Sequence, residues 1–446
     1  MPNAPIHRLR SKSLGVPELI AIALGGMVGG GIFTILGIAV SLIGPYTPVA
    51  IVLGGLFAAL AAYSYVKLGV YFKDEGATYS FIKKSFPNGA KIASLVGWWV
   101  IFGYISTLAL YAYTFASYAI SGTEWADSEI ARKAVAGAVI AVFTIVNVWS
   151  VRGMGRLEDL MVYTKLLILV VISVVLATAG ETSIPTLIRQ HDGFDMLNIL
   201  IVASVTFVAY EGFQLVINAS GEMDRPERNI PRAIYIAIAL AILVYVVIAT
   251  GALMAIPFED IIANQEYALA AGAADVLGPA GSILVVFGAL LATSSAISGT
   301  VFGASRQMAV IARDGFMPGF LATRRRSIPV NAIITMSACA FALVLAGNLR
   351  VILEFGSVTF LLVSFVMAFT NLKMRRQTGS SLLMTLVAML GLALGTVLII
   401  YFEATTQPEQ LVFIGGLYLL LSTAAWAYSS ILRGRSVSSY KSKKSN

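Results

Sequence analysis

The sequence predicts an all-α membrane protein of twelve transmembrane helices, arranged as a 5+5 inverted repeat with helices one and six interrupted. Three observations predict it. Hydrophobic residues make up 58% of the 446 residues and charged residues 12%, about half the charge a soluble domain carries. Apolar runs long enough to cross a hydrocarbon core of about 30 Å recur along the whole chain. The first and sixth of these runs each carry residues that disfavour a continuous helix.

The runs cover residues 19–43, 49–66, 92–120, 134–151, 160–179, 196–219, 233–256, 278–305, 330–346, 355–372, 382–402 and 411–432. Helices are expected because backbone groups in lipid must bond within their own segment. The first run is longer than a signal-peptide core of about 7–15 residues and no small-residue cleavage site follows, so it reads as a retained span. Basic residues stay on the cytoplasmic side of a membrane. With the N-terminus placed inside, 26 of the 31 Lys and Arg fall in inside segments, and Arg132, Lys133, Arg189 and Arg350 fall outside. Both termini are therefore expected in the cytoplasm. The net charge of +8 then reads as a cytoplasmic lining rather than a nucleic-acid footprint. The expected partners are the lipid bilayer and a small molecule, with no nucleic acid.

Cysteine and histidine narrow the chemistry. Cys339 is the single cysteine, and the two histidines, His7 and His191, lie in polar segments. A disulfide framework, a thiolate metal site and a histidine-based catalytic centre in the membrane are not expected. No cofactor or metal is expected, and the chain does not read as an enzyme.

The first span contains GGMVGGGIF (25–33), with five glycines in seven positions. Each weakens a helix by about 1 kcal/mol relative to Ala. Close helix packing through small residues is one reading. The other is an unwound segment whose bare N–H groups meet a ligand, which adjacent rather than evenly spaced glycines favour. The sixth span contains FVAYEGF (207–213), and Glu211 is the only carboxylate well inside a run. A carboxylate at that depth is costly and by default functional; a hydrogen bond to a neighbouring helix is the plain alternative. Spans one and six are the first members of two consecutive five-helix sets, and an odd number inverts the second set. Paired interrupted helices in inverted repeats point to a midplane site. A half-helix N-terminus there holds a carboxylate and unwound carbonyls hold an ammonium, so an α-amino acid fits both ends.

At these residues the chain resembles the amino acid–polyamine–organocation transporter family, over roughly residues 13–372. MVGGGIF (27–33) is similar to the family's G-x-(G/S)-G-(I/V)-F. DEGATYSFI (74–82) is similar to its G-G-x-Y-x-(Y/F) segment after span two. The stretch from YEGF (210–213) to NIPRAI (229–234) is similar to its unwound sixth helix and the opening of its seventh, with Arg225-Pro226 in place of Asn-Pro. MAVIARDGFMP (308–318) resembles its M-A-x-D-G-x-x-P loop.

The resemblance implies a LeuT-like ten-helix core, residues 1–376, with residues 377–446 forming two peripheral helices and a cytoplasmic tail, in the plasma membrane. It implies amino-acid transport by alternating access, with an amino acid or a polyamine as substrate. Gly29, Gly30 and Gly31 would offer N–H groups to the substrate carboxylate. Carbonyls of Met27, Val208 and Glu211 would receive its amine, and Tyr210 or Phe207 would act as an aromatic lid. Gln214 stands where many exchangers carry Glu, which puts arginine or diamine exchange in doubt.

Lys165 belongs to neither basic set. It lies nine residues after Arg156, about 13 Å further along a helix. Its amine either snorkels to the interface or stands where sodium-driven relatives bind Na⁺ between spans one and eight. Span eight offers Thr293, Ser294, Ser295 and Ser298 there. The sequence is similar to the proton-coupled ApcT-like branch, which keeps a lysine at this place. That implies H⁺ as the coupling ion, with Lys165, Glu211, Ser294 and Ser295 as proton-coupling residues. Exchange and uniport stay open, as does an amino-acid sensor of the same fold, although cytoplasmic ends of about 18 and 14 residues are short for signalling. A channel is disfavoured because no charge ring or carbonyl filter loop is visible.

Overall fold

The computed structural model describes residues 14–444 apart from 75, 87–88, 150, 181–182, 191–192, 221–222, 266, 326–327 and 348, and gives the backbone alone for 151–159, 190, 275, 277 and 430–444. His7, Arg8, Arg10, Lys12, Glu75, His191 and Arg326 lie outside the described residues. So do the side chains of Arg152, Arg156, Arg433, Arg435, Lys441, Lys443 and Lys444.

Every regular element among the described residues is helical. In order these are α1 (Val16–Met27), α2 (Gly31–Ile43), a 3-10 turn (Gly44–Tyr46), α3 (Thr47–Phe72), α4 (Ala77–Ser85), α5 (Ala90–Ile120), α6 (Glu129–Trp149) and α7 (Val151–Ala179). Then follow α8 (Ile184–Gln190), α9 (Met196–Thr206), a 3-10 turn (Phe207–Tyr210), α10 (Leu215–Asn218), α11 (Pro226–Ala255), α12 (Phe258–Ala263) and α13 (Ala268–Arg313). After a third 3-10 turn (Gly319–Ala322) come α14 (Val330–Ala346), α15 (Leu349–Lys373), α16 (Arg375–Thr378), α17 (Leu382–Thr406) and α18 (Pro408–Lys444).

Nine helical stretches among the described residues are long and apolar enough to cross a membrane, and two further apolar helices, Val16–Met27 and Val330–Ala346, are shorter. The chain is thus an all-helical, multi-pass membrane protein. The short α1 has a local cause. It has 12 residues, about 18 Å of rise, and α1 and α2 reach across a bilayer only together. α6 opens with Glu129, Arg132 and Lys133, and Arg132 is buried rather than free in a loop, donating to the Ala126 carbonyl at 2.7 Å. α13 bends at Gly278 (φ 68°) before Pro279, where the eighth apolar run was expected to begin. It then continues past that run's expected end, to Arg313.

The interior lies around α1, α2 and the α9–α10 stretch. α2 is buried over most of its length, while α17 and α18 turn many large apolar side chains outward, among them Leu383, Leu390, Val412 and Trp426. α11 packs on α1, α3 and α7, and α13 packs on α5 and α7. Lipid tails are as apolar as Leu, so such helices gain mainly from close approach. Glycines supply it: a methyl on Gly55 would meet Ile242 at 2.3 Å, and one on Gly54 the Ala203 carbonyl at 2.9 Å.

A polar cluster closes one end. Tyr79 Oη and Lys83 Nζ of α4 donate to Asp314 Oδ2 at 2.9 and 2.8 Å, Lys84 pairs with Asp74, and Lys73 lies 3.4 Å from Glu227. Partial burial pushes the Asp74 carboxyl up, but its contacts with Lys84 and the Gly76 N–H outweigh that and hold it below the usual carboxylate value.

Candidate functional site at the two helix breaks

α1 ends at Met27 because the next residues leave the helix. Val28 takes φ −81°, ψ 70°, and its N–H makes the last helical bond, to Leu24. Gly29 N–H turns back to the Met27 carbonyl at 2.9 Å. Helix resumes at Gly31. Among the described residues no backbone carbonyl takes up the N–H of Gly30 or Gly31, as expected for the first turn of a helix. The break therefore sets an N-terminus, with its partial positive charge, beside the C-terminal carbonyls of α1.

The second break lies opposite. α9 tightens into the 3-10 turn Phe207–Tyr210, then Glu211 becomes extended (φ −67°, ψ 137°). Gly212 takes φ 127°, a region open to glycine and strained for other residues. The two breaks touch there: a methyl on Gly212 would lie 2.6 Å from the Gly26 carbonyl carbon and 2.7 Å from Met27 N. Packing constrains other glycines too. A methyl on Gly29 would meet Ala296 at 2.5 Å, one on Gly31 the Ala209 Cα at 2.8 Å, and one on Gly30 Thr114 at 2.9 Å. The glycine run thus serves close packing and an opened backbone together, two readings that sequence treats as rivals.

Lys165 of α7 reaches the first break. It is fully buried, and its ammonium donates to the carbonyls of Gly25 (3.1 Å) and Val28 (2.7 Å) and to Ser295 Oγ of α13 (3.2 Å). The geometry is not that of a side chain stretched towards an interface. It caps the carbonyl end of α1 with a positive charge and joins α1, α7 and α13. Ser294 is partly buried beside Ser295.

Glu211 is 2% exposed. One of its oxygens accepts from the Gln214 amide, whose own oxygen accepts from Gly212 N–H at 3.1 Å; the other, Oε1, has no partner among the described residues. The Met27 carbonyl accepts from Tyr245 Oη at 2.6 Å, and the Val208 carbonyl accepts from Glu211 N–H at 3.1 Å. A carbonyl has two lone pairs: that of Val208 keeps capacity for a second donor, whereas that of Met27 already takes two, from Tyr245 Oη and Gly29 N–H. Phe207 is buried. Tyr210 is buried too, its hydroxyl donating to the Ile51 carbonyl at 2.8 Å.

Three residues at the breaks escape a sequence reading. Tyr245 Oη lies between the carbonyls of Met27 (2.6 Å) and Ala209 (3.0 Å), one from each broken helix. Tyr111 Oη donates to the Gly26 carbonyl at 3.1 Å, and Thr114 Oγ1 lies 2.7 Å from Thr34 Oγ1. Their signal is faint: a hydroxyl within an apolar run, which needs a buried partner. Glu211 is also not alone as a buried carboxylate. Glu354 and Glu403, at the margins of the tenth and eleventh runs, are each 1% exposed.

A helical membrane protein with two facing helix breaks, joined by the Tyr245 hydroxyl and with a buried ammonium at the first, is the class that fold and site define. The chain belongs to the amino acid permease family, whose model matches residues 14–428. It is 29% identical over 414 residues to the inner membrane transport protein YbaT of Escherichia coli, covering 92% of this chain and 95% of that one. It is 25% identical over 356 residues to the mitochondrial cationic amino acid transporter 3 of Arabidopsis thaliana (75% and 57%). It is 26% identical over 381 residues to the large neutral amino acids transporter small subunit 2 of Oryctolagus cuniculus (80% and 69%).

Proposed function

We propose that the protein is a secondary active amino-acid transporter of the plasma membrane, coupled to protons and working by alternating access. The observation that carries this reading is the pairing of the two breaks. N–H groups of Gly30 and Gly31 at the start of α2 suit a substrate carboxylate, and carbonyls of Val208 and Glu211 suit its amine. The relatives' printed names, which include cationic and large neutral amino acid transporters, support amino acids as the substrate class. The architecture in this reading is twelve spans in a LeuT-like inverted repeat, residues 1–376 as transport core and 377–446 peripheral, with both termini cytoplasmic.

Lys165 is the proposed coupling residue, as in the ApcT-like branch. Protonated, its ammonium neutralises the carbonyl end of α1 and ties α1 to α13 through Ser295. Deprotonated, it keeps fewer donors and no charge, so the bridge loosens and α1 is freer to tilt. Burial disfavours the charged form and the three acceptors favour it, a balance that a change in water access shifts. Proton binding is thereby linked to which side the breaks open.

The test is thermal stabilisation of the purified protein by individual amino acids and polyamines. A selective binder at a hundred times its Kd stabilises by about 2.7 kcal/mol. Gly30→Leu, whose side chain would fill the space beside the α2 N-terminus, removes that shift. Gly30→Ala, whose methyl would press on Thr114 at 2.9 Å, is the smaller control, with its melting temperature without ligand recorded beside that of Gly30→Leu. Unaltered stabilisation of the Gly30→Leu variant means that the glycines serve packing alone.

A further inference from the structure

We propose that Glu354 of α15 and Glu403 of α17 form a carboxyl pair that holds one shared proton, a proton-binding site in the seam between these helices and apart from Lys165. Each residue is 1% exposed. Arg350 Nε donates to Glu354 Oε1 at 2.7 Å, and its guanidinium lies 5.2 Å from the centre of the Phe402 ring. That leaves three oxygens of the pair, Glu354 Oε2 and both of Glu403, without a donor among the described residues. α15 packs on α17, and Arg350, which holds Glu354, also lies against Phe402, the residue before Glu403, so the two carboxyls are buried in one seam.

Two carboxylates so placed have only lone pairs to offer each other. One guanidinium balances one negative charge, and the second would stand buried and unpaired, at a cost of several kcal/mol. A single proton removes both difficulties. It neutralises the surplus charge and turns one carboxyl into an O–H donor to the other. The proton then belongs to the pair rather than to either residue.

Among the described residues no charge besides Arg350 is recorded against the pair: Lys83 and Lys84 of α4 pair with Asp314 and Asp74, and Lys373, Arg375 and Arg376 lie at the other end of α15. α2 carries no titratable group, α3 carries none over residues 47–60, and α9 carries none. Asp195 caps its own helix through Leu197 and Asn198 N–H. On α18, Glu409 is exposed and the Tyr418 hydroxyl is engaged with Thr359. α5 brings tyrosines, and Lys91 only in its first turn.

The site also has leverage. Within one turn of Glu354, Ser357 Oγ donates to the Val205 carbonyl of α9 at 2.8 Å, and a methyl on Gly356 would meet Val208 at 3.2 Å. α15 therefore braces the second helix break, and a proton that joins α15 to α17 steadies that brace.

Infrared titration of the purified full chain tests this, with melting temperature recorded at each pH. A protonated-carboxyl C=O band is expected at neutral pH, with a component lost in Glu403→Gln and lost or shifted in Glu354→Gln. Removing the proton leaves two carboxylates against one guanidinium, so the wild-type melting temperature falls on the alkaline side. Glu403→Gln, which fixes the neutral form, does not share that fall. A band unchanged in both variants overturns the proposal, even if one folds poorly. So does an alkaline fall of equal size in Glu403→Gln. A component that disappears on adding sodium or ammonium ions at constant pH assigns the pair to a larger cation and equally overturns it.

Discussion

Gly212 is held by backbone rather than by side chains. Its φ of 127° and the approach of Gly26 and Met27 to within 2.8 Å of any added Cβ leave nothing flexible to yield. Gly212→Ala combines left-handed strain with overpacking and costs about 3 kcal/mol, read as a lower melting temperature. Glu211 has one oxygen engaged by Gln214 and one without a partner, which suits a proton or a second amine. If it is a proton site, Glu211→Gln flattens the pH dependence of uptake for neutral and cationic amino acids alike, and we expect this. If it binds an amine, the loss is about 1.5–3 kcal/mol, for cationic substrates only. Unchanged affinity and pH profile for both substrates leave Glu211 as a packing residue. Glu211 was legible because a carboxylate deep in an apolar run has no cheap explanation. Glu354 and Glu403 were not, because charges at the margins of apolar runs ordinarily reach water. Tyr111 and Tyr245 were hidden because an aromatic within a span reads first as packing.

At the scale of elements, both breaks could be expected from local sequence, three consecutive glycines in one and Glu-Gly in the other. Their contact could not, since the crossing of Gly26 over Gly212 is a tertiary fact. Short helices were also illegible. α4 emerges from the DEGATYSFI stretch as a two-turn helix whose Tyr79 and Lys83 converge on Asp314. A carboxylate that accepts from both a hydroxyl and an ammonium across elements docks α4 on the end of α13. Exposed pairs contribute little, about 0–1 kcal/mol, whereas the Tyr79 bond to a charged partner contributes about 1.5 kcal/mol. Asp314→Asn therefore lowers stability by about 1–2 kcal/mol, while Glu227→Gln, which breaks only the half-exposed contact with Lys73, is nearly silent. Equal melting temperatures for the two variants would show that α4 is held by its apolar face alone.

Over the whole molecule, composition and apolar runs made the membrane class legible, because lipid exposure is a bulk property of the chain. The positions of kinks and caps were less so, being set by individual residues such as Gly278 and Arg132. The proposed substrate cradle at the breaks and the proposed proton carrier at Lys165 are expected to be coupled. The most direct measurement is amino-acid uptake into proteoliposomes under an imposed pH gradient, using a substrate selected by thermal stabilisation. Wild-type protein should accumulate it above the external concentration and lose the accumulation when a protonophore collapses the gradient. Lys165→Gln should bind the substrate but only equilibrate it. Gradient-independent uptake by the wild type, or wild-type accumulation by Lys165→Gln, would contradict the account.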